Sequence, residues 1–255
     1  MKTAIVAASS QGLGKAIATK LVSQGVNVML ASRDERKLHD VTEQLNALGK
    51  GKAAYTVTDV TNNAMIERLV EKTVETFGDI HVLVNNAGGP PTGTLATLTD
   101  DDWQQAFELN LLSYVRMIRA ALPHLKKTKG KIVNIASSSI KEPIPGLLLS
   151  NTFRLGIVGL TKTLAQELAP YGILINTVAP GRIATERVAY LDEQNAKKLG
   201  ISKEEMEARV KAAIPLGRYG TPEEFANVVA FLLSDENTYM TGQSLLVDGG
   251  MVKAI

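Results

Sequence analysis

The chain has 255 residues, with 28 Lys+Arg against 26 Asp+Glu and a net charge of +2, a balance that excludes a strongly basic nucleic-acid binder. It contains no cysteine, which removes disulfides, thiolate nucleophiles and cysteine-held metals, and it has no uninterrupted apolar run of the roughly 18 residues that cross a membrane. Twenty-one glycines stand beside only 5% aromatics, as expected of a backbone that must approach a ligand closely.

The first apolar run, Ala4–Ala8, turns Gly-rich at once and lacks the apolar core of a signal peptide. It reads as a strand, and the expected location is the cytoplasm. Further strands are expected at Asn27–Ala31, Ala53–Val57, His81–Asn85, Lys131–Ala136, Leu174–Val178 and Ser244–Val247. Between them, apolar residues recur with helical spacing. Leu13, Ile17 and Leu21 form one stripe; Leu38, Val41, Leu45 and Leu48 form the next; Ile66, Leu69, Val70 and Val74 form a third. Asp34, Thr61, Thr99 and Thr221 are expected helix caps, the last with Pro222 at the first helical position. Strand–helix alternation calls for a parallel sheet with helices on both faces. No repeat or linker interrupts it, so residues 1–255 are expected to form a single-domain, Rossmann-like doubly wound α/β fold. Residues 186–214 break the rhythm with a long charged helical stretch after a late strand. That is where a substrate lid belongs, although a plain surface excursion has the same pattern.

The segment Ala8-Ser9-Ser10-Gln11-Gly12-Leu13-Gly14 joins the first strand to the first helix. Glycines there let backbone approach a pyrophosphate at the helix N-terminus, so Ser9, Ser10, Gly12, Leu13 and Gly14 are cofactor candidates. The second strand ends in Ser32-Arg33 rather than in an acidic residue that would hold a free ribose hydroxyl. A hydroxyl and a guanidinium suit a 2′-phosphate, which favours NADP(H) over NAD(H); the alternative leaves Arg33 solvated. Asp59 and Val60 follow the third strand, where Asp59 can meet an adenine amino group or cap the next helix. Asn86, Ala87 and Gly88 form another close-approach loop after the fourth strand.

These pieces, with Asn110, the run Lys131–Ser137, Pro180-Gly181-x-x-x-Thr185, Thr241-Gly242-Gln243 and Val247-Asp248-Gly249-Gly250, resemble the short-chain dehydrogenase/reductase family. Within it, the chain is similar to 3-oxoacyl-acyl-carrier-protein reductases. The resemblance implies a seven-stranded sheet, a nicotinamide cofactor, a small carbonyl or alcohol substrate, and a homotetramer or homodimer. It assigns Pro180, Gly181, Ile183 and Thr185 to the nicotinamide carboxamide. The family's catalytic set is Asn, Ser, Tyr and Lys, and Asn110 and Ser137 match the first two.

The chain departs from that pattern at the last two. Ser150 and Arg154 stand at the positions of the Tyr and Lys, and Gly159-Leu160-Thr161-Lys162 fixes the same register downstream. The family's first turn glycine aligns with Ala8. A serine hydroxyl is a far weaker acid than a phenol, and an arginine stays protonated above about pH 12, so the usual proton donor is gone while positive charge remains. Lys141, just after the fifth strand, is a candidate acid–base group if desolvated near Arg154; otherwise it is a surface lysine beside Glu142. Two functions are therefore expected in competition: a carbonyl/alcohol oxidoreductase with a divergent acid, or a catalytically silent homologue that binds nucleotide. The three histidines and Tyr190, Trp103 and Phe107 read as packing or solvated residues, and no metal site is expected.

Overall fold

Runs of Val, Ile, Leu and Ala that are apolar throughout, rather than at every second residue, become strands covered on both faces. In the computed structural model, which describes residues 1–254, all seven expected runs are strands. They are β1 (Thr3–Ala7), β2 (Asn27–Ser32), β3 (Ala53–Val57), β4 (Val82–Asn85), β5 (Lys131–Ile135), β6 (Leu174–Pro180) and β7 (Ser244–Val247). They form one parallel sheet in the order β3-β2-β1-β4-β5-β6-β7. The chain reverses its direction of winding between β1 and β4, which pair in register from Ala4 with Val82 to Val6 with Val84. A crevice opens beyond the carboxyl ends of the strands at such a reversal.

Alternate strand residues feed two cores. On one face Val6 and Leu30 meet Ile17 and Leu21 of α1 (Gly12–Ser23), Leu38 and Val41 of α2 (Glu35–Asn46), and Phe225 and Val229 of the late helix Pro222–Leu233. On the other, Ile5, Met29 and Leu83 meet Ile66 and Leu69 of α3 (Asn63–Phe77). Burying each such side chain fully contributes roughly 1.5–3 kcal/mol.

Three expected caps hold. Asp34 accepts from the Lys37 amide, and Thr99 and Thr221 each form a reciprocal capping box, with Asp102 and Glu224. The fourth is corrected: Asn62, not Thr61, caps α3, because the Asp59 carboxylate takes both the amide and the hydroxyl of Thr61. After β4, α4 (Asp100–Phe107) passes through one wide π-helical turn, Glu108–Leu112, into α5 (Ser113–Thr128). Next come α6 (Leu148–Leu168), then α7 (Glu186–Leu199) and α8 (Lys203–Ala213) within the expected lid segment, and α9 (Pro222–Leu233). Trp103 and Phe107 pack on Phe153 of α6, with ring centroids 5.7 and 6.1 Å apart.

Ala8 leaves β1 in the left-handed region, at φ 48°. An L-residue pays about 1–2 kcal/mol there, against a glycine's extra cost of about 0.5–1 kcal/mol for ordering its backbone. Ala8→Gly is therefore expected to raise stability by up to about 1 kcal/mol. Chemical denaturation checks this; a loss of stability would show that the methyl group's contacts outweigh the strain.

Candidate functional site

The loops leaving β1 to β6 line one cleft in two compartments. The first, about 380 Å³, is bounded by Ser10, Ser32, Arg33, Lys37, Asp59, Val60, Ala87 and Gly88. The second, about 300 Å³, is bounded by Gly12, Leu13, Asn86, Ala87, Gly88, Ser137, Ser150, Arg154, Pro180, Gly181, Ile183, Thr185 and Arg187. Ala8, Gln11, Ala87, Gly88 and Gly89 border both, so the compartments are continuous.

In the first compartment the Ser10 and Ser32 hydroxyls lie 2.9 Å apart. Arg33 is exposed beside them with no carboxylate partner among the described residues. Lys37, which the sequence did not single out, adds a second cation at the rim and donates to Gln11 Oε1 at 2.6 Å. Asp59 lines the wall, and one of its oxygens holds Thr61.

Two members of the glycine-rich turn face away from the cleft. Ser9 is fully buried, and its hydroxyl accepts from the Ala31 amide at 3.0 Å, tying the turn to β2. Gly14 serves close packing: a Cβ there would stand 2.2 Å from the Ala8 carbonyl oxygen. Gly88 is the opposite case: a Cβ on it would meet nothing within 4 Å among the described residues and would project into the open space that both compartments share.

Asn110 sits fully buried in the π-helical turn and donates through Nδ2 to the Gly88 carbonyl at 2.8 Å. It supports the cleft loop from behind and does not line the cavity. Its Oδ1 is buried without a protein partner among the described residues. A second polar chain underlies the floor: Asn85 donates to Asn134, Asn134 to the Thr161 hydroxyl, and Thr161 pairs with Thr177. It ties β4, β5, α6 and β6 together below the cleft.

Ser137 lies two residues beyond β5 and caps the short turn Ser138–Ile140, its oxygen accepting from the Ser139 amide at 3.2 Å. Ser150 and Arg154 lie one turn apart on α6, 9% and 5% exposed. Arg154 Nη1 donates to the Tyr114 hydroxyl at 2.8 Å and to the Ile135 carbonyl at 2.9 Å, and Nη2 donates to the Ala87 carbonyl at 3.1 Å. Tyr114, on α5, itself donates to the Ile135 carbonyl at 2.7 Å. Burial pushes the Tyr114 phenol above its ordinary pKa, opposed by the charge of Arg154, so the phenol stays neutral. Tyr114 was not foreseen. Its signal was its place four residues after Asn110, on the same helix face.

Lys141 requires a correction. It ends the short turn Ser138–Ile140, is exposed, and lines neither compartment. The desolvation that would suit it to acid–base work is absent, because the turn carries it outward while Ser138 and Ser139 stay buried.

Beyond the cleft, α7 is held to the body by buried Asp192. Its Oδ1 takes Arg182 Nη1 and its Oδ2 takes the Tyr219 hydroxyl, each at 2.7 Å. Burial first, and the bond to Asp192 second, push the Tyr219 phenol well above its usual range. No group of His, Cys, Asp and Glu among the described residues can hold a metal ion, and no helix there is long and apolar enough to cross a membrane.

A parallel seven-stranded sheet with a dinucleotide-sized cleft at its winding reversal defines a Rossmann-type nucleotide-binding protein. The chain belongs to the short-chain dehydrogenase/reductase family: residues 7–252 match the family model described as Enoyl-(Acyl carrier protein) reductase. It is 36% identical to the 3-oxoacyl-acyl-carrier-protein reductase FabG of Salmonella typhi over 98% of this chain and 97% of that one. Among solved structures it is similar to an actinorhodin polyketide ketoreductase with NADPH, at TM-score 0.94 and 35% identity, covering 98% and 97% of the two chains. It is also similar to the L-sorbose reductase from Gluconobacter frateurii complexed with NADPH and L-sorbose, at TM-score 0.94 and 30% identity, covering 100% and 97%.

Proposed function

We propose that the protein is an NADP(H)-dependent oxidoreductase interconverting a carbonyl and an alcohol, with Ser150 and Arg154 in place of the family's phenol and lysine. The observation that carries this reading is the buried Arg154 guanidinium, fixed by three hydrogen bonds in the wall of a cavity that also exposes Ser137 and Ser150. Ser32 and Arg33 would hold the 2′-phosphate, with Ser10 and Lys37 beside them. Gly12, Leu13 and Gly88 would leave room for the pyrophosphate, and Pro180, Gly181, Ile183 and Thr185 would receive the nicotinamide end. When bound, the reduced dinucleotide supplies a hydride to the carbonyl carbon.

Ser137 and Ser150 orient the carbonyl oxygen by hydrogen bonding. Arg154 stabilises the negative charge that develops on it, in a site where fixed charge acts more strongly than in water. The proton that completes the alcohol comes from water through the serine hydroxyls, because neither serine nor arginine gives up a proton near neutral pH. Residues 186–214, as α7 and α8, act as the lid, with Thr185 capping α7 at the cavity edge.

Fluorescence titration with NADPH and NADH, followed by turnover on 3-oxoacyl thioesters, diketones and sugars, tests the reading. Tight NADPH binding with turnover of one class is expected. Tight binding with no turnover on any class would replace it with a nucleotide-binding homologue that is catalytically silent. The double variant Ser150→Tyr/Arg154→Lys is expected to raise kcat on neutral ketones at least tenfold, since a positioned phenol restores general acid catalysis worth roughly 10²–10⁴. No gain would mean that the missing acid does not limit the rate.

A further inference from the structure

Two guanidinium groups line the second compartment, and neither has a carboxylate partner among the described residues. Arg154 spends three N–H groups on neutral oxygens, those of Tyr114, Ile135 and Ala87, which leaves two without a protein acceptor among the described residues, on a side chain that lines the cavity. Arg116 and Arg182, the other arginines that are not exposed among the described residues, are each paired with a carboxylate, Glu108 and Asp192. Arg154 is the exception, and it is the most buried of the three.

The second guanidinium is that of Arg187, in the first turn of α7. It reaches across the cleft mouth and donates from Nη2 to the Pro90 carbonyl at 3.1 Å. Its tip lies so close to Gly89 that a Cβ there would stand 3.0 Å from Nη2. The residue as a whole is exposed, but this tip is tucked in. Desolvation pulls its pKa below the ordinary arginine value, Tyr190 opposes that in part, and the charge of Arg154 adds a smaller lowering. Among the described lining residues the sole acidic one is Glu186, exposed and paired with neither arginine.

Two like charges on a small, partly dry cavity are costly unless an anion enters between them. A planar guanidinium fork matches a carboxylate best, through paired hydrogen bonds. Resting on the reductase reading above, we propose that the substrates are oxo acids: carbonyl compounds with a free carboxylate within two carbons of the reacting carbonyl, gripped by Arg154 and Arg187. Hydride goes to the carbonyl carbon, a water proton goes to the carbonyl oxygen, and the carboxylate leaves unchanged. The same anion chemistry could instead serve the dinucleotide's diphosphate, so the test separates the two.

The experiment uses the full-length chain saturated with NADP⁺. Pyruvate, benzoylformate and acetoacetate are titrated against their methyl esters by calorimetry, and NADPH-dependent turnover is measured on the same six compounds. At least one acid is expected to bind 30-fold or more tighter than its ester, with the same preference in kcat/KM. Arg187→Gln is expected to narrow that acid-to-ester ratio at least tenfold. Acids and esters bound alike, or neither bound, would overturn the proposal while NADPH binding and turnover of a neutral ketone kept the reductase reading intact. An Arg187→Gln variant that loses NADPH affinity at an unchanged acid-to-ester ratio would also overturn it, assigning that arginine to the diphosphate. Failure to bind NADPH or NADP⁺ would bring down both.

Discussion

Arg154→Met is expected to lower kcat by about 10²–10³ while leaving the thermal midpoint within a few degrees of the parent. The loss follows from removing a fixed positive donor at the developing oxyanion, which typically costs about 2.7–4 kcal/mol of transition-state stabilisation. Stability is expected to change little because two effects oppose each other. Three hydrogen bonds disappear, but so does a cation that is 5% exposed and has no counter-charge among the described residues. The Ile135 carbonyl keeps its bond from Tyr114. Methionine fills most of the vacated volume. Thermal denaturation read beside steady-state kinetics checks both halves. A midpoint that collapses with activity would make Arg154 a structural strut rather than part of the chemistry.

The second large effect concerns the cofactor. Ser32→Asp with Arg33→Ala is expected to weaken NADPH at least 100-fold while moving NADH by no more than about threefold. A hydrogen bond to a charged group contributes roughly 1.5–3 kcal/mol, and 1.4 kcal/mol is a factor of ten. The new carboxylate adds repulsion against the 2′-phosphate and an acceptor for the free ribose hydroxyls of NADH. Lys37 remains at the rim in this variant, so the discrimination is reduced rather than fully inverted. Equal losses for both dinucleotides would show that the pair at the end of β2 holds the loop and does not read the phosphate.

The strands were legible because strands buried on both faces have no choice of composition. Val6, Leu30, Val84 and Val133 are all fully buried, and polar residues there would leave unpaired groups in the core. The cleft loops were legible for a related reason: bare backbone at Gly12 and Gly88 is scarce information that few other structures require. What failed was direction. Ser9 and Ser10 are neighbours in one turn, yet one hydroxyl points at β2 and the other at the cleft. Lys141 lies close to the site along the chain but is turned to solvent. Partners distant in sequence were also invisible. Arg154 meets Tyr114 across 40 residues and Arg187 meets Pro90 across 97, and no local pattern announces either contact.

The strand order also bears on how the chain is made. β1 lies between β2 and β4, so the first strand synthesised keeps one open edge until residues 82–85 arrive. Its helix waits longer still, because the apolar stripe of α1 is covered by Phe225, Ala226 and Val229 of α9, near the opposite end of the chain. During translation at about 5–20 residues per second, that stripe is exposed for roughly 10–40 seconds after it emerges. The arrangement that gives the finished molecule its crevice thus leaves the nascent chain with an unpaired β1 edge until β4 is made and an uncovered helix for most of its synthesis. Parallel pairings of such separation form slowly, and they make the ribosome-bound chain a natural client for chaperones.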